Sequence, residues 1–152
     1  MFHPNGKGLL AFTGVMAGAI ASLLSPSAMA SEEIMGSRGE NGAGTRVAHQ
    51  VEIAGDVGGT LHIEPNDTPR AGEEALTWFA LTKRGGQTIP LSSCDCSLAV
   101  YAQPYREGDE AIATPSLRAV SAEGYNGIPA ADILFPTPGA YELVLTGQPL
   151  TT

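Results

Sequence analysis

Cys94 and Cys96, separated by one aspartate, are the most compact pair of side chains in the sequence that could do chemistry. The pair has three interpretations: a local disulfide, two metal thiolates, or thiols that stay free or bridge to another chain. Residues i and i+2 of an extended strand lie about 6.6 Å apart, near the upper limit for disulfide-linked Cα atoms. A Cys94–Cys96 disulfide therefore requires a bend at Asp95, which the neighbouring serines favour. We predict the oxidised, metal-free pair, because cysteines of exported proteins persist as disulfides.

Metal binding is the alternative interpretation of this pair, since thiolate and imidazole together suit copper or zinc. The candidate metal ligands are Cys94, Cys96 and His62. These side chains can converge only if their loops meet at one end of the domain. His62 shares the outward phase of a predicted strand with Glu64, which is typical of a solvated strand histidine. His49 is the other histidine that follows the export signal proposed below.

Catalytic motifs do not occur in this sequence: it has no G-x-S-x-G, H-E-x-x-H, phosphate-binding loop or G-x-G-x-x-G. We therefore expect no enzymatic activity, no catalytic residue and no cofactor. Glu64, Asp67, Glu73 and Glu74 follow one another closely enough to offer oxygen ligands to Ca²⁺. We interpret this segment as a solvated acidic loop.

The first thirty residues have the pattern of a secretory signal peptide. Lys7 precedes an uncharged run over residues 9–24, and the sequence Ala28-Met29-Ala30 fits a signal-peptidase site. The run is shorter than the ~20 apolar residues that a membrane span needs. We predict cleavage after Ala30, with an uncleaved amino-terminal anchor as the alternative. The mature protein is then periplasmic or extracellular, with no stable membrane insertion.

The composition limits the partners of the mature chain. Residues 31–46 are rich in Gly, Glu and Ser, and we interpret them as a disordered linker. The formal charge is −8 with only eight Lys and Arg, which excludes a basic surface for nucleic acid. Another protein of the envelope is the partner that we expect.

Residues 47–149 contain short apolar runs separated by turn residues, and 19 Gly and 11 Pro in the chain favour turns over long helices. We predict one all-β domain here, an immunoglobulin-like antiparallel β-sandwich of seven or eight short strands, with a barrel as the competing architecture. The predicted strands cover residues 47–53, 60–64, 75–83, 88–91, 98–102, 117–120, 132–135 and 141–145. The predicted core consists of Val51, Leu61, Ile63, Trp78, Ala80, Leu98, Val100, Ile133, Tyr141 and Leu143.

Three segments carry a family resemblance. Residues 69–73 (PRAGE) open a strand, residues 84–90 (RGGQTIP) make a hairpin, and residues 138–143 (PGAYEL) start the last strand. Their order resembles the YtkA-like and FixH-like immunoglobulin-like domains of bacterial envelope proteins. The resemblance implies the fold and a non-enzymatic role, and it assigns no functional residue. The Pro-Gly turn before Tyr141 also suggests that this tyrosine packs inward and bonds a nearby backbone group through its hydroxyl.

Overall fold

The computed structural model describes residues 8–17 and 50–150 of the chain. These residues form eight strands and one short 3₁₀ helix at Leu91–Ser93. The strands are β1 (Gly8–Ala17), β2 (Gln50–Ala54), β3 (Val57–Ile63), β4 (Glu74–Lys83), β5 (Cys94–Ala102), β6 (Arg118–Ala122), β7 (Tyr125–Leu134) and β8 (Gly139–Pro149). The predicted linker, residues 31–46, lies outside the described residues.

The strands form two antiparallel sheets, one in the order β1-β8-β5 and the other in the order β2-β3-β4-β7-β6. Buried side chains from the facing sides of both sheets form the main hydrophobic core, for example Phe79 and Ile133 from one sheet and Val100 and Leu143 from the other. The prediction of an all-β sandwich is therefore confirmed.

The strand order matches that of an immunoglobulin domain except at two places: a different strand takes the position of the last strand, and one strand is added. In such a domain strands A, B, E and D form one sheet, and strands C, F and G form the other. Here β3-β4-β7-β6 take the places of A-B-E-D, and β5-β8 take the places of C-F. The place of the last strand, G, beside β8 is occupied by β1, from the amino-terminal end of the sequence. Strand β2 adds a fifth strand next to β3.

Strand β1 lies within the segment that is predicted from the sequence to be a signal peptide. Nine of its ten residues pair antiparallel with β8, and Phe12 is fully buried in the main core. Cleavage after Ala30 stays a prediction. The structure adds that the predicted cleavage would remove one strand from the sandwich that it describes.

The central strand β4 buries apolar side chains on both of its faces. Phe79 and Leu81 point into the main core, whereas Trp78 and Ala80 belong to a second cluster on the opposite face of the sheet. The other buried members of this cluster are Ile128 and Ala130 of β7. The predicted burial of Trp78 is correct, but its side chain does not lie between the two sheets.

Val51 was expected in the core, and the structure shows this to be wrong. Val51 is 60% exposed and Ile53 is 76% exposed. The register of β2 on β3 explains the error, because it places Val51 opposite Thr60 and Ile53 opposite Gly58. Apolar and polar residues do alternate along β2, but the apolar side chains face away from the main core.

Tight turns also correct the predicted strand boundaries. Gly55 (φ 62°) and Asp56 alone connect β2 to β3, so β3 begins at Val57 instead of the predicted residue 60 and contains Gly58 and Gly59. Glu123 (φ 47°) and Gly124 (φ 85°) form the two-residue loop between β6 and β7, with the positive φ angles that such hairpins favour. Residues 88–91 contribute a bridge from Thr88 to Thr82 in place of the predicted strand.

Tyr141 is the third residue of β8, the strand that occupies position F, and its surroundings match the expectation from the sequence. The side chain is 2% exposed, and its ring centroid lies 4.9 Å from that of Phe135. The hydroxyl donates a hydrogen bond to the carbonyl oxygen of Thr137 and accepts one from the Thr137 amide at 3.2 Å. The hydroxyl therefore ties the corner between β7 and β8 to the start of β8.

We expect Tyr141→Phe to lower the free energy of unfolding by about 0.5–1.5 kcal/mol, the usual net value of a hydrogen bond. The exposed Thr137 backbone can bond to water instead, so the loss stays in this range. Urea unfolding of Tyr141→Phe beside Tyr125→Phe measures the difference. A Tyr141 variant as stable as the Tyr125 variant would contradict a role for the hydroxyl.

Candidate binding face

Cys94 and Cys96 are joined by a disulfide at the start of β5, with their Cα atoms 5.2 Å apart. This separation is shorter than the roughly 6.6 Å of an extended strand, so the backbone is compressed at Asp95. The strand is nevertheless continuous and paired with β8 throughout. Both cysteines are half-buried and pack against the main core, on the same face as Leu98.

Gly147 of β8 lies directly opposite Cys96 and provides the space for this disulfide. A Cβ atom on Gly147 would lie 2.6 Å from Sγ of Cys96 and 3.0 Å from Sγ of Cys94. No other residue type leaves this space empty. The role of Gly147 cannot be predicted from the sequence, because nothing in the sequence indicates that this glycine and the cysteines are paired in register.

His62 is buried, at 6% exposure, which corrects the expectation of a solvated histidine. As predicted, it points away from the main core, but its ring stacks on Trp78 with a centroid distance of 4.8 Å. Its Nε2 lies 3.3 Å from Oε1 of Glu64 and its Nδ1 lies 3.2 Å from Oδ1 of Asp67. In its imidazolium form the ring can donate one hydrogen bond to each carboxylate.

Asp67 orders the turn that follows β3. Its Oδ1 accepts a hydrogen bond from the Ile63 amide at 2.7 Å, and its own amide donates to the Ile63 carbonyl at 2.7 Å. Asp67 adopts a positive φ of 56°, which aspartate tolerates better than most residues. The carboxylate is thus oriented toward the backbone and His62.

The ligand set Cys94, Cys96 and His62 is not assembled. The cysteines pack against the core side of the β1-β8-β5 sheet, whereas His62 lies on the outer face of the other sheet. Within residues 8–17 and 50–150, no group of three or more His, Cys, Asp or Glu side chains is arranged to hold a metal ion. The disulfide also removes the thiolates that copper or zinc would bind.

Glu142 is the centre of a polar network on the outer face of β8. Its Oε1 accepts a hydrogen bond from the Tyr105 hydroxyl at 2.9 Å, and its Oε2 accepts one from the side-chain Nε2 of Gln103 at 2.7 Å. Tyr105 stacks on Tyr101 with a centroid distance of 4.3 Å. Burial of the phenol, its hydrogen bond to Glu142 and the charge of that carboxylate raise the pKa of Tyr105 to about 12.

We expect Tyr105 to ionise at a higher pH than an ordinary tyrosine side chain. Because its pKa is raised above the usual value near 10, its stabilising interactions are complete below pH ~10 and are lost as the pH approaches ~12. The phenolate absorbance of wild type, Tyr105→Phe and Glu142→Gln tests this. The late step should disappear in the first variant and move toward pH ~10 in the second. If Tyr105→Phe removes no phenolate absorbance that develops above pH ~10 in the wild type, the assignment is contradicted.

Among the residues that the structure describes, the most exposed large apolar side chains lie on β2, at the edge of the five-stranded sheet. Val51 and Ile53 point to the same outer side, and both are more than half exposed. Ile53 borders a depression of about 280 Å³, and the rest of its lining comes from the β2–β3 turn, the start of β3 and residues 82–84 at the end of β4. Lys83 and Arg84 are exposed at its rim, and Arg84 Nε lies 3.2 Å from Asp56 Oδ1. We call Val51, Ile53 and this depression the β2 face.

Comparisons with known proteins give no relative: no family model, curated protein or solved structure matches the chain. A search of the described residues for a helix long and apolar enough to cross a membrane finds none.

Proposed function

We propose that the chain is an exported, non-enzymatic immunoglobulin-like module of the bacterial envelope that binds another envelope protein. The observation that carries this proposal is the β2 face, where an edge strand presents two exposed apolar side chains. Exposed apolar side chains grouped beside a depression are typical of protein interaction sites.

The charges around the β2 face define the kind of partner that fits it. Lys83 and Arg84 lie at the rim in a chain that has only eight Lys and Arg. A partner segment with an apolar side chain flanked by a carboxylate would contact Ile53 and one of these cations at the same time. Polar groups at the rim of an interface contribute more to specificity than to affinity. The proposed partner is therefore an apolar segment with acidic neighbours.

A photoreactive residue at Ile53 of the exported protein tests this proposal. We expect it to crosslink in envelope extracts to one other protein, and we expect the Val51→Lys variant to lose that product. The matched control carries the photoreactive residue at Arg118, an exposed position on β6 at the opposite edge of the same sheet. The same crosslinks from both positions, or no effect of Val51→Lys, would contradict a binding role for the β2 face.

Export is tested separately by the intact mass of the protein recovered from its source cells. We expect a chain that begins at Ser31. A chain that retains its first thirty residues, or that stays in the membrane fraction after an alkaline wash, would refute the cleavage.

A further inference from the structure

We propose that the β1-facing edge of β8 is a strand-accepting site. In the uncleaved chain Gly8–Ala17 occupies it, and in the exported chain an extended apolar segment of a partner protein takes that place. The inference rests on the proposed function in one respect, because it takes the exported chain to lack residues 1–30. It concerns a different surface from the β2 face.

The backbone of β8 is the first part of this site. On one side β8 pairs with β5 from Pro149 to Tyr141, and on the other side nine residues of β1 pair with it, from Gly147 to Gly139. Removal of β1 would leave a row of N–H and C=O groups on β8 without strand partners. Such an edge is a template for another strand, and strand addition is a common way for one protein to bind an extended segment of another.

The pocket of Phe12 is the second part of the site and supplies selectivity for a side chain. Phe12 is fully buried and lies opposite Leu143 in the register. Its ring centroid is 5.6 Å from that of Phe79 in the other sheet. An occupant without a large apolar side chain at this position would leave a cavity between the two sheets, which destabilises a packed core.

The pattern of β1 defines the chemistry of the occupant. The segment Gly8–Ala17 carries no charge, runs antiparallel to β8 and shifts its register between Thr13 and Val15. A partner segment must therefore be extended, uncharged over about ten residues, and aromatic or bulky at the position of Phe12. Residues 31–46 of the chain itself do not fit this description, because they are mainly Gly, Ser and charged residues. A lipid does not fit either, because it cannot pair with a row of backbone groups.

The first experiment uses the full chain with a protease site introduced within residues 31–46. After cutting, we expect the two pieces to elute together. A labelled peptide of residues 8–17, with lysines added at its ends for solubility, should exchange into the complex. A Phe12→Asp peptide should bind at least about tenfold more weakly. An Ala11→Ser peptide, changed at the half-buried position next to Phe12, should bind within about twofold of the original.

Amide hydrogen exchange along β8 in the uncut chain gives a second readout. It should be slow in wild type and faster in Phe12→Asp. The inference is overturned if the cut pieces separate while β8 keeps its protection, or if the Phe12→Asp peptide binds as well as the original.

The partner is tested with the exported chain carrying a photoreactive residue at Thr146, which pairs with Leu9 in the uncleaved chain. We expect a crosslink to an apolar segment of another envelope protein, and an excess of the peptide of residues 8–17 should abolish it. A crosslink that survives this competition, or one that joins only two copies of this chain, would overturn the assignment of the partner. Absence of the Ile53 crosslink alone would contradict the binding role of the β2 face but would not affect the Thr146 crosslink. The two proposals therefore fail independently.

Discussion

Replacing Trp78 with alanine should lower the free energy of unfolding by about 3–5 kcal/mol, the range for truncating a buried aromatic side chain. The indole is 2% exposed although it lies outside the main core. Its two cross-strand neighbours are His62 on β3 and Ala130 on β7. The small side chain of Ala130 leaves room for the indole on one side, and the imidazole stacks on it from the other.

The loss has two physical components. One is the apolar area that the indole removes from water together with the cavity that its truncation leaves beside Ile128. The other is the stacking with His62, since aromatic pairs contribute about 0.5–1.5 kcal/mol beyond their buried area. Trp78→Phe keeps part of both components, so its loss should be smaller than that of the alanine variant.

Urea unfolding followed by far-ultraviolet circular dichroism measures this change, because Trp78 is the only tryptophan and its fluorescence is lost in the variants. Val51→Ala is the matched control: it is an exposed apolar residue on the outer side of the same sheet and should change stability by no more than about 0.5 kcal/mol. A loss below about 1 kcal/mol for Trp78→Ala would show that the outer cluster contributes little, and Trp78 would then be a candidate binding residue.

The contrast between Trp78 and Val51 shows what alternation in a sequence can predict. Alternation correctly separated the two faces of β3, with Leu61 and Ile63 inward and His62 outward. It did not show which face of a given strand meets the other sheet, because that depends on register with a neighbouring strand. For β2 the register turned the apolar face outward, and for β4 both faces were apolar and both are buried.

The place of β1 could not be predicted for a related reason. The uncharged run over residues 9–24 fits a signal peptide, but an apolar stretch such as Gly8–Ala17 can also form an edge strand of a sheet. The choice of β8 as its neighbour depends on strand order, which local sequence patterns do not contain. The tyrosine at the start of β8 was predictable because its turn and its hydrogen bond are close together in the sequence.

Replacing Gly147 with alanine should lower the stability of the oxidised protein by about 1–3 kcal/mol, the usual cost of forcing a methyl group into a packed site. The added Cβ would lie 2.6 Å and 3.0 Å from the two disulfide sulfurs and 3.1 Å from the Asp95 carbonyl oxygen. These atoms belong to the first three residues of β5, which are held together by the disulfide. They cannot move away without disturbing the pairing of β5 with β8.

In a background with both cysteines replaced by alanine, the loss should become smaller. The sulfur atoms are then absent, the 3.1 Å contact with the Asp95 carbonyl oxygen remains, and alanine restricts the unfolded chain more than glycine does, so Gly147→Ala should cost less than about 1 kcal/mol. Gly139→Ala on the same strand is the control, since an added Cβ there meets nothing within 4 Å. An equal loss in both backgrounds would mean that the clash does not involve the disulfide.

The same coupling should appear in the redox equilibrium of Cys94 and Cys96, because a substitution that destabilises only the oxidised form must favour reduction by the same free energy. A penalty of about 1–3 kcal/mol corresponds to a shift of about 5- to 150-fold toward the dithiol. Thiol titration in glutathione buffers of known composition measures this shift in wild type, Gly147→Ala and Gly139→Ala. Wild type should titrate with no free thiol under denaturing, non-reducing conditions. If Gly147→Ala leaves the equilibrium unchanged, Gly147 does not act on the disulfide, and its place opposite Cys96 has no energetic consequence.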